Sequence, residues 1–352
     1  MKTTLHTTIN RVLLIVLLII VALPSSAYCS MVDGFASNKS LNVIEGDVDG
    51  DGYVTSSDIT VLYSILLGNS NAYAQNADVN GDGEITATDI TVIYNILLSG
   101  EPSSVMEYIV NGVSFKMVKV EGGTFMMGAA DDDPQALGDE KPAHQVTLTN
   151  NYYIGQTEVT QELWVAVMGN NPSYLNGGNY GTNLQRPVET VSWNQCQEFI
   201  AKLNEMTGKI FRLPTEAEWE FAARGGNNSQ GYLYAGSNNI NDVGWCSENT
   251  SQIYQGDGYG PQTVATKEPN ELGLYDMSGN VMEWCQDYYD IGYYSVSPSE
   301  NPTGPSSSSS DFHVYRSGCW YYDSWFCRVS YRHWLWPTGT SSYLGMRLAL
   351  SM

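Results

Sequence analysis

Positive charge is scarce in this sequence: 16 Lys and Arg stand against 38 Asp and Glu in 352 residues, a formal net charge of -22. That balance repels phosphate backbones and anionic lipid surfaces, which argues against a nucleic-acid or membrane-surface binder and makes metal cations the natural counter-charge. Histidine is scarcer still, present only as His6, His144, His313 and His333. No Ser/His/Asp arrangement, phosphate loop or nucleotide motif accompanies them. Long apolar runs are nearly missing. The one that stands out, Val12 to Leu23, has 12 residues, whereas a helix needs about 20 to cross hydrocarbon. With Lys2 and Arg11 ahead of it and Pro24, Ser25, Ser26 and Ala27 behind it, it reads as a signal peptide over residues 1–27 rather than a retained anchor. Tyr28, a large residue, weighs against a lipid anchor on Cys29. The expected location is extracellular or at the cell surface. Cysteine is also sparse. Cys196, Cys246, Cys285, Cys319 and Cys327 all fall in the C-terminal part, and five is odd, so at least one thiol there stays free or pairs elsewhere.

What is present begins with a repeat. Asp47-Val-Asp-Gly-Asp-Gly-Tyr-Val-Thr-Ser-Ser-Asp58 recurs 31 residues on as Asp78-Val-Asn-Gly-Asp-Gly-Glu-Ile-Thr-Ala-Thr-Asp89. Side-chain oxygens at loop positions one, three and five (Asp47, Asp49, Asp51; Asp78, Asn80, Asp82) converge on a hard cation. Gly52 and Gly83 allow the sharp turn at position six. Tyr53 and Glu84 offer backbone carbonyls, Thr55 and Thr86 occupy position nine, and Asp58 and Asp89 close the loops at position twelve. Acidic turns without metal are improbable twice over at identical spacing, so calcium is the expected ligand. Each loop leads into an apolar helix, Ile59 to Leu67 and Ile90 to Leu98. One loop and one helix cannot bury a face alone, so the pair must pack together and metal binding becomes part of folding. The segment 44–100 resembles a type I dockerin, a small all-α, EF-hand-like pair. The resemblance implies a cohesin partner, read in part by positions ten and eleven, here Ser56-Ser57 and Ala87-Thr88. The copies differ there, which puts an exact two-fold binding mode in doubt.

A short polar linker, 101–106, precedes the remainder. Three helices are marked by their caps: Thr160 before Leu163, Ser192 with Gln195, and Thr215 with Glu218, ending near Gly169, Gly208 and Gly225. Long stretches with little periodicity lie between and after them, notably 226–270 and 290–312, and loops of that length are usually functional or held by staples such as metals.

Along residues 107–352 run Gly122-Gly-Thr-Phe-Met-Met-Gly128, Pro142-Ala-His144, Glu158-Val-Thr160, Pro187-Val-Glu-Thr-Val-Ser-Trp193, Arg212-Leu-Pro-Thr-Glu-Ala-Glu-Trp219, Ala222-Ala-Arg-Gly-Gly226 and Gly273-Leu-Tyr-Asp-Met-Ser-Gly-Asn-Val-Met-Glu-Trp284. These resemble the formylglycine-generating enzyme, or sulfatase-modifying factor, family. The resemblance implies a C-type-lectin-like α+β fold with long loops. It also implies a structural calcium site on Asp276, the carbonyls of Gly279 and Val281, and Glu283, an oxygen-only set that suits the ion.

Enzymes of that family oxidise a substrate cysteine at a copper(I) held by two thiolates. The matching positions here read Tyr322 and Cys327, so one thiolate is missing. Cys319 lies eight residues from Cys327 and needs a different backbone path to reach the same metal. Cys285 is a candidate disulfide partner for Cys327, which would leave no thiolate at the site. A related branch of the family uses iron with a His-x3-His-x-Glu helix, and this chain has no such motif. The final segment instead crowds Trp320, Tyr321, Tyr322, Trp325, Phe326, Tyr331, His333, Trp334, Trp336 and Tyr343 among Arg316, Arg328, Arg332 and Arg347. Core packing explains any single ring; this many, mixed with Asp323 and Ser324, suggest a recognition face. Tyr321, Tyr322, Trp325, Phe326, Tyr331 and Trp334 are its candidate ligand contacts. The segment also resembles the variable tails of lectin-fold proteins diversified by retroelements. The leading expectation is a dockerin-tethered binder of a protein or glycan. The alternatives are an oxidase of sulfatase cysteines, which the copper pair discriminates, and an accessory of an extracellular polysaccharide-degrading complex, which nearby cohesin genes would mark.

Overall fold

The computed structural model describes residues 46–49, 54, 56–69, 76–99, 104–130, 133–177, 180–250, 258–307 and 310–352. The loop residues Asp51, Tyr53 and Thr55 and the expected signal peptide lie outside the described residues.

In the loop module, helix α1 runs Ser56–Leu66 and α2 runs Ala87–Ser99. Both begin at loop position ten, three residues before the expected starts at Ile59 and Ile90, because the position-twelve acids lie inside the first turn. There Asp58 Oδ1 accepts from the backbone N–H of Val48 at 2.7 Å and Asp49 at 3.1 Å. Asp89 Oδ1 does the same for Val79 at 2.9 Å and Asn80 at 3.1 Å. Each acid thus ties a loop's start to its helix, and both are fully buried. Val48, Ile59, Leu62, Val79, Ile90 and Ile93 form one small core between the repeats, as the shared need to bury a single apolar face requires.

The larger domain is α+β, in line with the sequence. Its strands are β1 Val105–Val110, β2 Val113–Val120, β3 Gly123–Met127, β4 His144–Leu148, β5 Tyr152–Gly155, β6 Phe211–Arg212, β7 Met282–Tyr288, β8 His313–Arg316, β9 His333–Leu335, β10 Leu344–Met346 and β11 Ala349–Ser351. Three sheets result, with orders β1-β2-β5-β11-β6, β10-β7-β8-β9 and β3-β4. The last strand, β11, is inserted between β5 and β6, antiparallel to both, so the chain's end completes the sheet its beginning started.

The three capped helices appear where their caps place them. They are α3 Gln161–Met168, α4 Trp193–Thr207 and α5 Glu216–Ala223. Thr160 accepts from Leu163 N, while Ser192 and Thr215 form full capping boxes with Gln195 and Glu218. Such caps contribute about 1 kcal/mol each. Helix α4 buries Cys196, Phe199, Ile200 and Leu203, a spacing that keeps one face inward. Phe199 stacks on Trp164 of α3 with ring centroids 4.8 Å apart.

Two large buried clusters fill most of the domain, with two smaller ones beside them. One gathers Trp164, Phe199, Trp284, Cys319 and Met346; the other gathers Trp219, Phe221, Cys285, Tyr294 and Val314. The C-terminal segment is pinned by buried ion pairs. Arg316 meets Glu216 and Glu220, Arg332 meets Glu216, Arg328 meets Glu140 and Arg347 meets Glu283, all at 2.7 Å. These four arginines were expected to interleave with rings on a surface. They are buried instead, each turned inward to a glutamate that satisfies its charge.

Candidate ligand surface and calcium loops

The segment after β8 is held by local devices. Ser317 and Gly318 both lie at positive φ, 91° and 74°. A Cβ on Gly318 would come within 2.7 Å of Cys327 Sγ and 2.6 Å of Phe326 O, so glycine is required there and its backbone lies against the thiol. Asp323 caps a short 3-10 turn, Ser324–Cys327, by accepting from Trp325 N at 3.1 Å. Ser324 Oγ donates to Glu248 at 3.0 Å, and Ser247 N donates to Tyr322 O at 2.9 Å.

Tyr322 is half-buried, and its hydroxyl donates to that of Tyr343 at 3.1 Å. Cys319 and Cys327 are both fully buried. Burial pushes the Cys319 thiol up to about 12 and the Cys327 thiol well above its ordinary value. Cys327 packs with Cys246, Tyr234, Ile240 and Val243, while Cys285 belongs to the second core cluster. The candidate Cys285–Cys327 disulfide is therefore not formed. All five described cysteines are free and buried; β7 carries Cys285 into a different buried cluster from the one that holds Cys327.

The aromatic residues form an unbroken run of ring contacts. It passes from Tyr174 through Tyr180, Tyr259, Trp320, Tyr321, Tyr322, Phe326, Tyr331, His333 and Trp334 to Trp336, with successive centroids 4.9 to 6.3 Å apart. Of the six candidate contacts, Tyr321 is exposed, and Tyr322, Trp325, Phe326 and Trp334 are half-buried. Tyr331, at 3 % exposure, is core and is withdrawn from that set; it supports Trp325 and Phe326 from behind. A cavity of about 280 Å³ opens beside Tyr321, lined by Tyr174, Leu175, Tyr259, Trp320, Ser342 and Tyr343. Sequence reasoning missed Tyr174 and Tyr259, which sit in stretches without periodicity. Ring faces and phenol hydroxyls together suit a ligand with flat apolar faces edged by hydrogen-bonding groups.

In the first loop, carboxylate oxygens of Asp47, Asp49 and Asp58 lie within 4.8 Å of one another. In the second, Asp78 Oδ1 is buried without a partner, while Asp82 and Asn80 hold the turn through Glu84 N and Asp82 N, each at 2.9 Å. Crowded acids and an orphaned oxygen are what a calcium loop offers its ion, so the residues fit. Both position-eleven residues are exposed, and their hydroxyls bond within their own loops: Ser57 Oγ donates to Asp49 at 3.0 Å, and Thr88 Oγ1 accepts from Asn80 Nδ2 at 3.2 Å and pairs with Thr86 at 2.6 Å. Ala87 begins α2.

At the other expected calcium site, Asp276 is held at φ 58° with Oδ1 unpartnered, and Ser317 Oγ donates to the carbonyl of Gly279 at 3.1 Å. Val281 is buried beside them. Glu283 has both oxygens engaged, by Arg347 and by Trp219 Nε1. The expected set is thus brought into one region, with Asp276 offering a free side-chain oxygen and Glu283 already paired.

These features define a lectin-like α+β domain preceded by a pair of calcium-type loops. A family model for the sulfatase-modifying factor enzyme 1-like domain matches residues 110–352, and one for the dockerin type I domain matches residues 45–98. The chain belongs to the formylglycine-generating enzyme, or sulfatase-modifying factor, family and carries a type I dockerin domain. It is 34% identical over 221 residues to the chaperone protein LppX of Paenibacillus barcinonensis, covering 50% of this chain and 73% of that one. It is 28% identical over 291 residues to the formylglycine-generating enzyme of Streptomyces coelicolor, covering 66% and 88%. Among solved structures, Treponema denticola variable protein 1 is similar with a TM-score of 0.62 and 32% identity, over 71% of this chain and 100% of that one. Among the described residues, no helix is long and apolar enough to cross a membrane.

Proposed function

We propose that this chain is a secreted binding protein: its calcium-loaded dockerin tethers it to a cohesin, and its aromatic face takes a protein or glycan ligand. The observation that carries the reading is Tyr322, which stands at a copper-thiolate position of the family and is hydrogen-bonded to Tyr343 inside a continuous run of rings. A copper(I) centre requires soft ligands. At the family's pair of positions stand one thiol, Cys327, and one phenol, Tyr322, while the thiol packed beside Cys327, that of Cys246, is pushed up to about 11 by burial, so the set does not match that pair. Cys319 is fully buried and its thiol is pushed up to about 12, which disfavours a second thiolate there. The printed name of the Treponema denticola neighbour, a variable protein, accords with a tail whose residues vary on a fixed scaffold.

The dockerin also supports the narrower reading of an accessory in an extracellular polysaccharide-degrading complex, where the aromatic cavity would hold a sugar ring. Affinity electrophoresis against a panel of soluble polysaccharides, with Tyr321→Ala as control, tests the glycan arm. Retardation that the variant abolishes supports it. Equal mobility of both proteins on every gel, together with formylglycine formation on a cysteine peptide, would turn the assignment to an oxidase.

A further inference from the structure

The cavity of about 280 Å³ beside Tyr321 is walled by five rings: Tyr174, Tyr259, Trp320, Tyr321 and Tyr343. Trp320 and Tyr259 are buried and make its floor, whereas Tyr174 and Tyr321, 57 % and 47 % exposed, stand at its rim. Leu175 and Ser342 complete the lining, so among the described residues that border it none carries a charge.

The walls are set at angles to one another. Trp320 meets Tyr259 at 4.9 Å and Tyr321 at 5.4 Å, each with an interplanar angle of 72°. Tyr321 and Tyr343 are parallel, with centroids 6.1 Å apart. A flat ligand slipped between two such faces needs about 7 to 8 Å, the sum of two carbon–carbon contacts. The open run of rings accepts flat ligands; the cavity suits a rounder group. Two of its polar edges are already engaged: Trp320 Nε1 donates to Ser342 O at 3.2 Å, and the Tyr343 hydroxyl accepts from that of Tyr322 at 3.1 Å. An enclosed sugar ring would bring more hydroxyls than such walls can pair, which disfavours it.

Aromatic faces are negative at their centres and attract a cation within about 6 Å. Rings in several orientations meet a tetrahedral cation from several sides. The backing of the cavity adds no opposing charge. Leu175 N donates to the buried Glu189 at 2.7 Å, and the buried Arg186, which donates to Tyr180 O at 3.0 Å, balances that carboxylate. The chain's formal net charge of -22 draws cations in and repels anions. An unmethylated ammonium brings three N–H donors and tight hydration, for which these walls offer little replacement, whereas methylation removes the donors and keeps the charge. Sites for whole small molecules run from about 300 to 1,000 Å³, so this one has the size for a head group.

Resting on the reading of the aromatic face as a ligand site, we propose that the cavity is an aromatic cage for a methylated ammonium group carried at the end of a flexible chain. Choline on a glycan and trimethylated lysine on a protein share that chemistry.

Calorimetric titration of the full chain tests it with choline, with the uncharged isostere in which a tert-butyl group replaces trimethylammonium, and with one peptide bearing lysine in trimethylated and unmodified forms. Choline or the trimethylated peptide should bind about 5- to 30-fold more tightly than its counterpart, and the tighter of the two identifies the carrier. Tyr321→Phe, which keeps the ring, should bind like the unaltered chain. Tyr321→Ala and Tyr174→Ala should each weaken binding by about tenfold. Both positions are exposed, so folding is preserved, and the comparison of choline with its isostere needs no substitution at all. Failure of both cations to bind more tightly than their counterparts would overturn the cage, as would binding that Tyr321→Ala leaves undiminished. Neither result touches the recognition face itself, which is judged separately by retardation on polysaccharides.

Discussion

The hydroxyl of Tyr322 donates to that of Tyr343 at 3.1 Å, and the two rings meet edge to face at 5.2 Å. In the reading proposed above, Tyr322 stands at a thiolate position of the family, so this pair sets hard phenols there, with the thiol of Cys327 pressed against Gly318. The purified protein, supplied with copper and oxygen, is expected to leave a Cys-x-Pro-x-Arg peptide unoxidised, as read by peptide mass spectrometry. Turnover that disappears in Cys327→Ser would show that a single thiolate suffices and would restore the oxidase reading.

Exposure separates the aromatic residues into contacts and supports. Tyr321 is 47 % exposed, so Tyr321→Ala should move stability by only about ±0.5 kcal/mol. Tyr331, at 3 % exposure against Trp325 and Phe326, should cost roughly 3 kcal/mol or more when cut to Ala, through the cavity it leaves. Thermal unfolding of the two variants gives the answer directly. Equal losses would mean that Tyr321 is also structural and that the recognition face lies elsewhere.

The sequence disclosed what is local. Thr160, Ser192 and Thr215 announce three helices because each cap acts on an N–H three residues away, and the two loops disclose themselves by repetition. It did not disclose what is distant. Arg328 finds Glu140 across 188 residues and Arg316 finds Glu216 across 100, so a run of arginines that looks like surface chemistry becomes core. Tyr174 and Tyr259 join Trp320 and Tyr321 at one cavity from loops with no periodic pattern to mark them.

Calcium should order the dockerin, since Asp58 and Asp89 tie each loop to its helix and the loop acids crowd one another without a cation. A fragment spanning residues 44 to 102 is expected to gain helix and release heat on calcium addition, with both effects lost in Asp47→Ala plus Asp78→Ala. Ser57 and Thr88 hydrogen-bond to position three of their own loops, so cohesin capture should fall when calcium is chelated. Surface plasmon resonance on a cohesin surface, with and without chelator, reads that coupling. Calcium-independent helix content, or capture unaffected by chelator, would contradict it.

Acid should unfold the larger domain through Glu216. Burial alone would raise this carboxyl, but the guanidiniums of Arg332 and Arg316 outweigh it and bring it from its ordinary 4.5 to about 2. A folded value below the unfolded one means that the native state prefers the ionised form, so this stability is complete above about pH 4.5 and is lost as pH falls through about 2. Tm should therefore hold through neutral pH and decline steeply below pH 4.5. Glu216→Gln should flatten that decline and cost about 3 to 5 kcal/mol at neutral pH, because it strands buried Arg332 and removes one of the two carboxylates that hold Arg316. By contrast, Glu121, 70 % exposed at 3.7 Å from Lys119, should cost less than about 1 kcal/mol when changed to Gln. If the two variants lose equal stability, the buried glutamate–arginine network is not what holds the C-terminal segment in place.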